Sequence, residues 1–182
     1  MLSQISRIVV ILFIGIGFLY PVIGIESTTR GLSSRELTLD GNDHLRIYQP
    51  DEKLAMEWLA QSEPGVLSEA VGGSYSSYAR MSTQTGYPTI IGWIPHEGQW
   101  GRGPKEFGTR IEDVATLYET NLWEEAQSIL DRYSIRYVIV GGLERSTYNL
   151  DELKFNQHLP VVYQNSTVTI YEYHGTNDAQ NP

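Results

Sequence analysis

The stretch Leu122-Trp123-Glu124-Glu125-Ala126-Gln127-Ser128-Ile129-Leu130-Asp131-Arg132-Tyr133-Ser134-Ile135-Arg136-Tyr137-Val138-Ile139-Val140-Gly141-Gly142 changes its hydrophobic period halfway along. Up to Tyr133 the apolar residues fall at Leu122, Ala126, Ile129, Leu130 and Tyr133, the spacing of one helix face. Asn121 and Glu124 stand at capping-box spacing, with Asn121 as the cap. From Tyr137 to Val140 four β-formers run together, as in a buried strand, and Gly141-Gly142 ends them. Ser134 is left for the turn. Helix, short turn and strand make half of a parallel crossover, so the chain predicts an α/β fold.

The same reading extends in both directions. Downstream, Leu143 to Asn149 is a polar loop with Glu144 and Arg145, and Leu150 to Phe155 is a short helix. Two β-rich runs, Val161 to Gln164 and Thr167 to Tyr173, flank Asn165-Ser166 as a hairpin. Asn165-Ser166-Thr167 also matches the N-glycosylation pattern, a match short enough to arise by chance. Upstream, Arg110 to Tyr118 places Ile111, Val114, Leu117 and Tyr118 on one helix face. Asp51 to Gln61 predicts another helix, with Pro50 in its first turn, acidic residues at its N-terminus, and Leu54, Trp58 and Leu59 sharing a face. Val66 to Val71 is the first strand. The sum is one small α/β domain over 51–174 with a mixed sheet of about four or five strands.

Between that strand and Arg110 lies the chain's richest mixture of glycines, aromatics, hydroxyls and ionisable groups, Glu69 to Arg102. Long loops without structure of their own are uncommon and usually functional or disordered. Disorder is disfavoured by Tyr75, Tyr78, Tyr87, Trp93 and Trp100, which are costly to leave in water, and by Pro88 and Pro95. The expectation is an ordered loop system over the end of the sheet, with Ile90 to Trp93 as a short strand inside it. Glu69 has two readings: an outward strand position, or a carboxylate at the strand's C-terminal end, where open α/β sheets place ligands.

Ile8 to Ile25 carries no charge, and as a helix it spans roughly 27 Å, close to a bilayer's hydrocarbon thickness. Residues 1–25 are read as a membrane anchor and 26–50 as a juxtamembrane connector, with a turn at Thr38-Leu39-Asp40-Gly41. A cleavable signal peptide, with Val22 and Gly24 before the cut, is the competing reading. Arg7 precedes the segment and Arg30 and Arg35 follow it, so the positive-inside rule is nearly balanced; an inside N-terminus places the domain outside the cell membrane. Residues 175–182 are a polar tail expected to be disordered.

The net charge is −9 over 182 residues, and Arg7 is the only charge before residue 26, so the domain is strongly acidic. With no basic stripe, nucleic acid is an unsuitable partner. The chain has no Cys, and His44, His96, His158 and His174 lack ligand spacing, so neither a disulfide framework nor a metal site is expected. No phosphate-loop or dinucleotide glycine pattern occurs, so no cofactor is expected. Gly73-Ser74-Tyr75-Ser76 lacks the second glycine of a nucleophile elbow. His96-Glu97 is the nearest approach to an acid/base pair. A hydrolase built on it lacks a nucleophile or metal partner in the sequence. Arg80, Arg102 and Arg110 offer guanidinium forks for an anion such as a lipid phosphate, or else pair with Glu97, Glu112 or Asp113 to hold the loop shut. Tyr75, Tyr78, Trp93 and Trp100 offer faces for a sugar ring, or else pack the core.

Several of these stretches together resemble a known family. They are Thr38-Leu39-Asp40-Gly41, Glu69-Ala70, Ser74 to Arg80, Thr85 to Thr89, Gly92-Trp93, His96 to Trp100, Arg110 to Val114, Leu117-Tyr118, Tyr137 to Gly141 and Leu143 to Arg145. In that order they resemble the C-terminal end of the YYY-type multi-pass membrane proteins, a group similar to the GT-C class of lipid-linked-sugar glycosyltransferases. The family tends to run from the position of Trp100 directly into Arg, whereas Gly101 intervenes here. The resemblance implies a last transmembrane helix followed by an extracytoplasmic α/β domain. It also implies a C-terminal accessory piece of a larger architecture, without the early-loop catalytic carboxylate and so without a transferase site of its own. From the chemistry of the segment, the candidate ligand-binding residues are Glu69, Tyr75, Tyr78, Arg80, Trp93, His96, Glu97, Trp100 and Arg102. Its partners would be membrane lipid, a glycan or lipid-linked sugar, and a multi-pass membrane protein. Simple docking on that protein is the alternative function.

Overall fold

The computed structural model describes residues 2–29 and 40–175. It divides into two units, Met1–Asp43 and His44–Pro182. The first contains helix α1 (Leu2–Thr29), whose large apolar side chains from Ile5 to Ile25 are exposed. The stretch Gln4–Ser27 has a mean hydropathy of 2.7, long and apolar enough to cross a membrane; a signal sequence meets the same test. The helix runs past residue 25, through Pro21, into the expected connector. Within that connector Asp40 Oδ1 accepts the Asn42 N–H at 2.9 Å, an Asx-type turn. Thr38 and Leu39 lie outside the described residues, as does the expected tail beyond Gly175.

The second unit runs α2 (Asp43–Tyr48), α3 (Pro50–Ala60), β1 (Val66–Ser68), α4 (Arg80–Thr85), α5 (Ile94–Gln99), α6 (Pro104–Phe107), α7 (Arg110–Glu119), α8 (Trp123–Arg132), β2 (Ile135–Val140), α9 (Gly142–Thr147), α10 (Glu152–His158), β3 (Val161–Gln164) and β4 (Thr169–Glu172). The four strands form one mixed sheet in the order β1-β2-β4-β3. β1 and β2 are parallel, with Ser68 beside Val138, and β4 is antiparallel to both β2 and β3. The crossover predicted from Leu122 to Gly142 is therefore present, and so is the hairpin.

Alternation along the strands sends side chains into two cores. Val138, Val140, Tyr171 and Tyr173 pack with Val114, Leu117, Tyr118, Ile129, Leu130 and Phe155 from α7, α8 and α10. Tyr137, Ile139, Leu67 and Ile170 pack with Leu45, Ala55, Met56, Leu59 and Met81 from α2, α3 and α4. β2 is thus covered on both faces, which is why its sequence is apolar without a break from Tyr137 to Val140. Each fully buried Val, Leu or Ile contributes about 1.5–3 kcal/mol over its exposed state.

Local structure departs from expectation in five places. Leu122, not Asn121, precedes α8, and Thr120 Oγ1 accepts the Leu122 N–H at 3.1 Å. The buried face of α3 is Ala55, Met56 and Leu59; Leu54 points outward. β1 stops at Ser68. Ile90 and Ile91 are buried, but pairing there is limited to one bridge, Leu67 with Thr89. Leu143 to Asn149 is mostly the helix α9, not a loop. Asn165 is engaged on both sides of its amide: Oδ1 accepts from the Thr167 and Val168 N–H groups, and Nδ2 donates to Asp51 O and Tyr163 Oη. A glycan on that nitrogen would replace one of its two hydrogens and so remove at least one of the last two bonds.

Tyr118 ties the sheet to α7. Its ring stacks on Tyr148 at 4.9 Å, and its hydroxyl lies 2.9 Å from Ser68 O and 2.8 Å from Ile139 O. That is just where the β1–β2 pairing ends.

Candidate functional site

The segment after β1 is not a continuous loop. It winds into α4 and α5, and a distant side chain satisfies the N-terminus of α4. Glu69, directly beyond β1, is buried and accepts the N–H groups of Met81 and Ser82 at 2.8 and 2.9 Å. It thus supplies the acceptor that Ala79 at the N-cap lacks. Burial pushes its carboxyl up, and the Ser82 and Met81 hydrogen bonds and the Arg80 charge oppose this.

Arg80, one residue before Met81, is held by three elements. Nε and Nη2 donate to the two oxygens of Glu52 at 2.7 and 3.0 Å. Nη1 and Nη2 donate to the two oxygens of Glu144, both at 3.0 Å. Glu69 lies 3.9 Å from Nη1. The Arg80 side chain is 8% exposed and Glu144 is fully buried. Burial alone would raise Glu144, but the Arg80 charge and hydrogen bonds, with the N–H groups of Ala70 and Gly141, hold it below the usual carboxylate range. A Cβ at Gly141 would come within 2.8 Å of Glu52 Oε1 and 2.9 Å of Arg80 Nη2, so a side chain there would push the ion cluster apart. The C-terminal ends of β1 and β2, where a ligand was one expectation for Glu69, are filled by an internal ion cluster. A cleft of about 420 Å³ opens beside it, lined by Tyr48, Glu52, Ser77 and Arg80 among others.

The open side of the segment is different. His96 and Glu97 sit on α5 and diverge. His96 Nδ1 is 2.9 Å from Ser74 Oγ, and Nε2 is 3.1 Å from Tyr75 Oη. The Tyr75 ring contacts the rings of Trp93 and His96 at 5.8 and 4.7 Å, and Trp93 Nε1 donates to Tyr78 O at 2.7 Å. Tyr78 Oη lies 3.3 Å from Thr147 Oγ1, so Tyr78 braces the segment against α9. Glu97 turns the other way and accepts from Arg102 Nη1 at 2.6 Å. Gly101, the extra residue, makes this return: its φ of +88° lets the Arg102 N–H bond back to Glu97 O. Arg110 donates to Ile90 O at 2.8 Å and lies over the Tyr133 ring; Asp113 pairs instead with Arg132.

Two clefts meet along this side. One of about 680 Å³ runs over Tyr87 to Gly92 to Phe107 and Arg110, and one of about 590 Å³ runs over Trp93, His96 and Trp100. They share Ser82, Thr83, Gly92, Glu97 and Arg102. Trp100 is 82% exposed and Tyr75 is 84% exposed. Of the nine candidate residues, Glu69 and Arg80 belong to the closed cluster, Tyr78 braces, and Tyr75, Trp93, His96, Glu97, Trp100 and Arg102 gather on the open side. The sequence reading missed Ser74 as the partner of His96, and Glu52 and Glu144 as the partners of Arg80. For Glu144 a signal existed: Gly141 N–H donates to Glu144 Oε2 at 2.9 Å, the carboxylate half of a capping box three residues on. Among the described residues no group of three or more His, Asp or Glu is placed to hold a metal ion.

No family model matches the chain, and no curated protein matches it. The fold is similar to a solved structure, the C-terminal globular domain of an oligosaccharyltransferase from Archaeoglobus fulgidus. The two share 15% identity with a TM-score of 0.45, over 76% of this chain and 99% of that domain.

Proposed function

We propose that this chain is a membrane-anchored, extracytoplasmic accessory domain of a GT-C-like glycosyltransferase system, the end piece that its resemblance to the YYY-type proteins implies. In this reading α1 is its single-pass anchor in the cell membrane. The open side binds a sugar or a lipid-phosphate head group and performs no sugar transfer itself. The observation that carries the binding is the pairing of exposure with order. Tyr75 and Trp100 present aromatic faces to water beside the Glu97–Arg102 pair, and Tyr75 is pinned by contacts to Trp93 and His96. Exposed aromatics held in place offer stacking surface at little entropic cost on binding.

The test is a titration of the full chain in lipid nanodiscs with neutral oligosaccharides and, separately, with a polyprenyl phosphate, read by tryptophan fluorescence. The reading expects saturable binding of at least one class that Trp100→Ala weakens. A chain that binds neither class fails it. The same exposed aromatics suit the centre of a protein interface. The alternative, docking on a multi-pass membrane protein, therefore predicts a stoichiometric partner in a pull-down of the full chain from detergent-solubilised native membranes, with no ligand response.

A further inference from the structure

We propose that Ser74 and His96 form a nucleophile and general-base pair that takes an acyl group from a carboxylic ester, an activity separate from ligand binding by the open cleft. The fold brings together what the sequence leaves 22 residues apart, with Ser74 Oγ 2.9 Å from His96 Nδ1. An activated serine is recognised by such a contact together with a third group that orients the base. Here that group is the Tyr75 hydroxyl, 3.1 Å from Nε2. With the ring proton on Nε2 donated to Tyr75 Oη, Nδ1 presents its lone pair to the Ser74 hydroxyl. The imidazole is further held by contacts to the Tyr75 and Trp93 rings, 4.7 and 5.4 Å away.

The backbone carries a matching distortion. Tyr75 has φ +58°, an uncommon conformation for a bulky residue and one that persists only where the surroundings over-determine it. It places the nucleophile's neighbour over its base. The N–H groups of Ser74 and Tyr75 have no acceptor among the described residues, so both are available to an oxyanion formed at Ser74.

The step balances without a cofactor. Ser74 Oγ bonds to the ester carbonyl carbon as its proton passes to His96 Nδ1. The carbon–oxygen bond to the leaving group then breaks, and His96 returns the proton to that alcohol. Water, deprotonated by His96, attacks the acyl-serine and releases the acid, and Ser74 regains the proton. Because a hydroxyl stands where a triad has a carboxylate, the imidazolium gains orientation but no opposite charge, and turnover is expected to be slower than that of a full triad.

The experiment treats the full chain in detergent micelles with a fluorophosphonate probe, which phosphonylates activated serines with loss of fluoride, and maps the adduct by mass spectrometry. The expected result is an adduct on Ser74, absent in Ser74→Ala and formed roughly 100-fold more slowly in His96→Gln. Tyr75→Phe keeps the ring packing and removes only the bond to Nε2. It should lower the maximal labelling rate without changing the half-saturating probe concentration. No adduct on Ser74, or equal labelling of the wild type and His96→Gln, overturns the proposal. A chain that binds no sugar or lipid phosphate but labels at Ser74 keeps this inference and loses the binding one.

Discussion

Arg80 and Arg102 stand 22 residues apart on the same segment, each paired with glutamate, and they end in opposite circumstances. Arg80 is 8% exposed and gives both edges of its guanidinium to Glu52 and Glu144; Arg102 is 65% exposed and gives one N–H to Glu97. In the first case water has been removed from the charges, so each depends on the other: removing one leaves an uncompensated buried ion. In the second case water can replace either partner, and the pair adds little to stability. The residue types are the same, and solvent decides which pair holds the fold and which stays open to exchange with water.

The largest expected effect follows from breaking the closed side. Arg80→Ala strands three carboxylates around one void and should cost about 3–5 kcal/mol in denaturant unfolding of the full chain. A loss no greater than that of Arg102→Ala would erase the contrast. Next comes the acid limb. Glu144 is held below its ordinary 4.5, so its contribution is complete above that value and is lost as pH falls through the folded value. Glu144→Gln should be less stable at neutral pH and should flatten the fall of stability below pH 4.5, which thermal melts across pH 3–7 would reveal.

A third effect sharpens the comparison with a buried cation that has no carboxylate in contact among the described residues. Lys154 donates to Tyr118 O and Thr120 O at 2.7 and 2.6 Å beyond the end of α7, and burial brings its pKa down from 10.5 to about 8. The unfolded chain then binds more protons than the folded one between those values. Stability should therefore rise with pH from about 8 towards 10, and Lys154→Met should remove that slope. The smallest effects belong to the open side. Arg102→Ala and Trp100→Ala should each shift stability by no more than about 0.5 kcal/mol. If the cleft binds a sugar, Trp100→Ala should still weaken it about tenfold, in line with an aromatic contact of about 0.5–1.5 kcal/mol.

Period and punctuation carried the sheet. Tyr137 to Val140, the Asn165-Ser166 turn and the helix faces of α7 and α8 all act through local patterns, and local patterns are visible in sequence. The winding of Gly72 to Gly103 was not, because α4 and α5 are short and the start of α4 is satisfied from elsewhere: Glu69 caps it from 12 residues upstream. A propensity reading sees serines, threonines and glycines there and expects loop. The same holds for the candidate site. The aromatic and ionisable residues of Tyr75 to Arg102 stood out by type, but their division into a closed and an open set depends on Glu52 and Glu144, brought in by α3 and α9. Ser74 looked like a failed elbow and became the neighbour of His96 only through the turn at Tyr75.

The Tyr118 hydroxyl has one proton and two carbonyls within reach, Ser68 O at 2.9 Å and Ile139 O at 2.8 Å. It must share that proton or alternate, and the balance depends on how far the two strand ends stand apart. The phenol is therefore a built-in gauge. A carbon-13 label on either carbonyl would shift its infrared band as the proton moves, so any ligand that spreads the tip of the sheet would announce itself in the amide I region before a side chain in the cleft had changed rotamer.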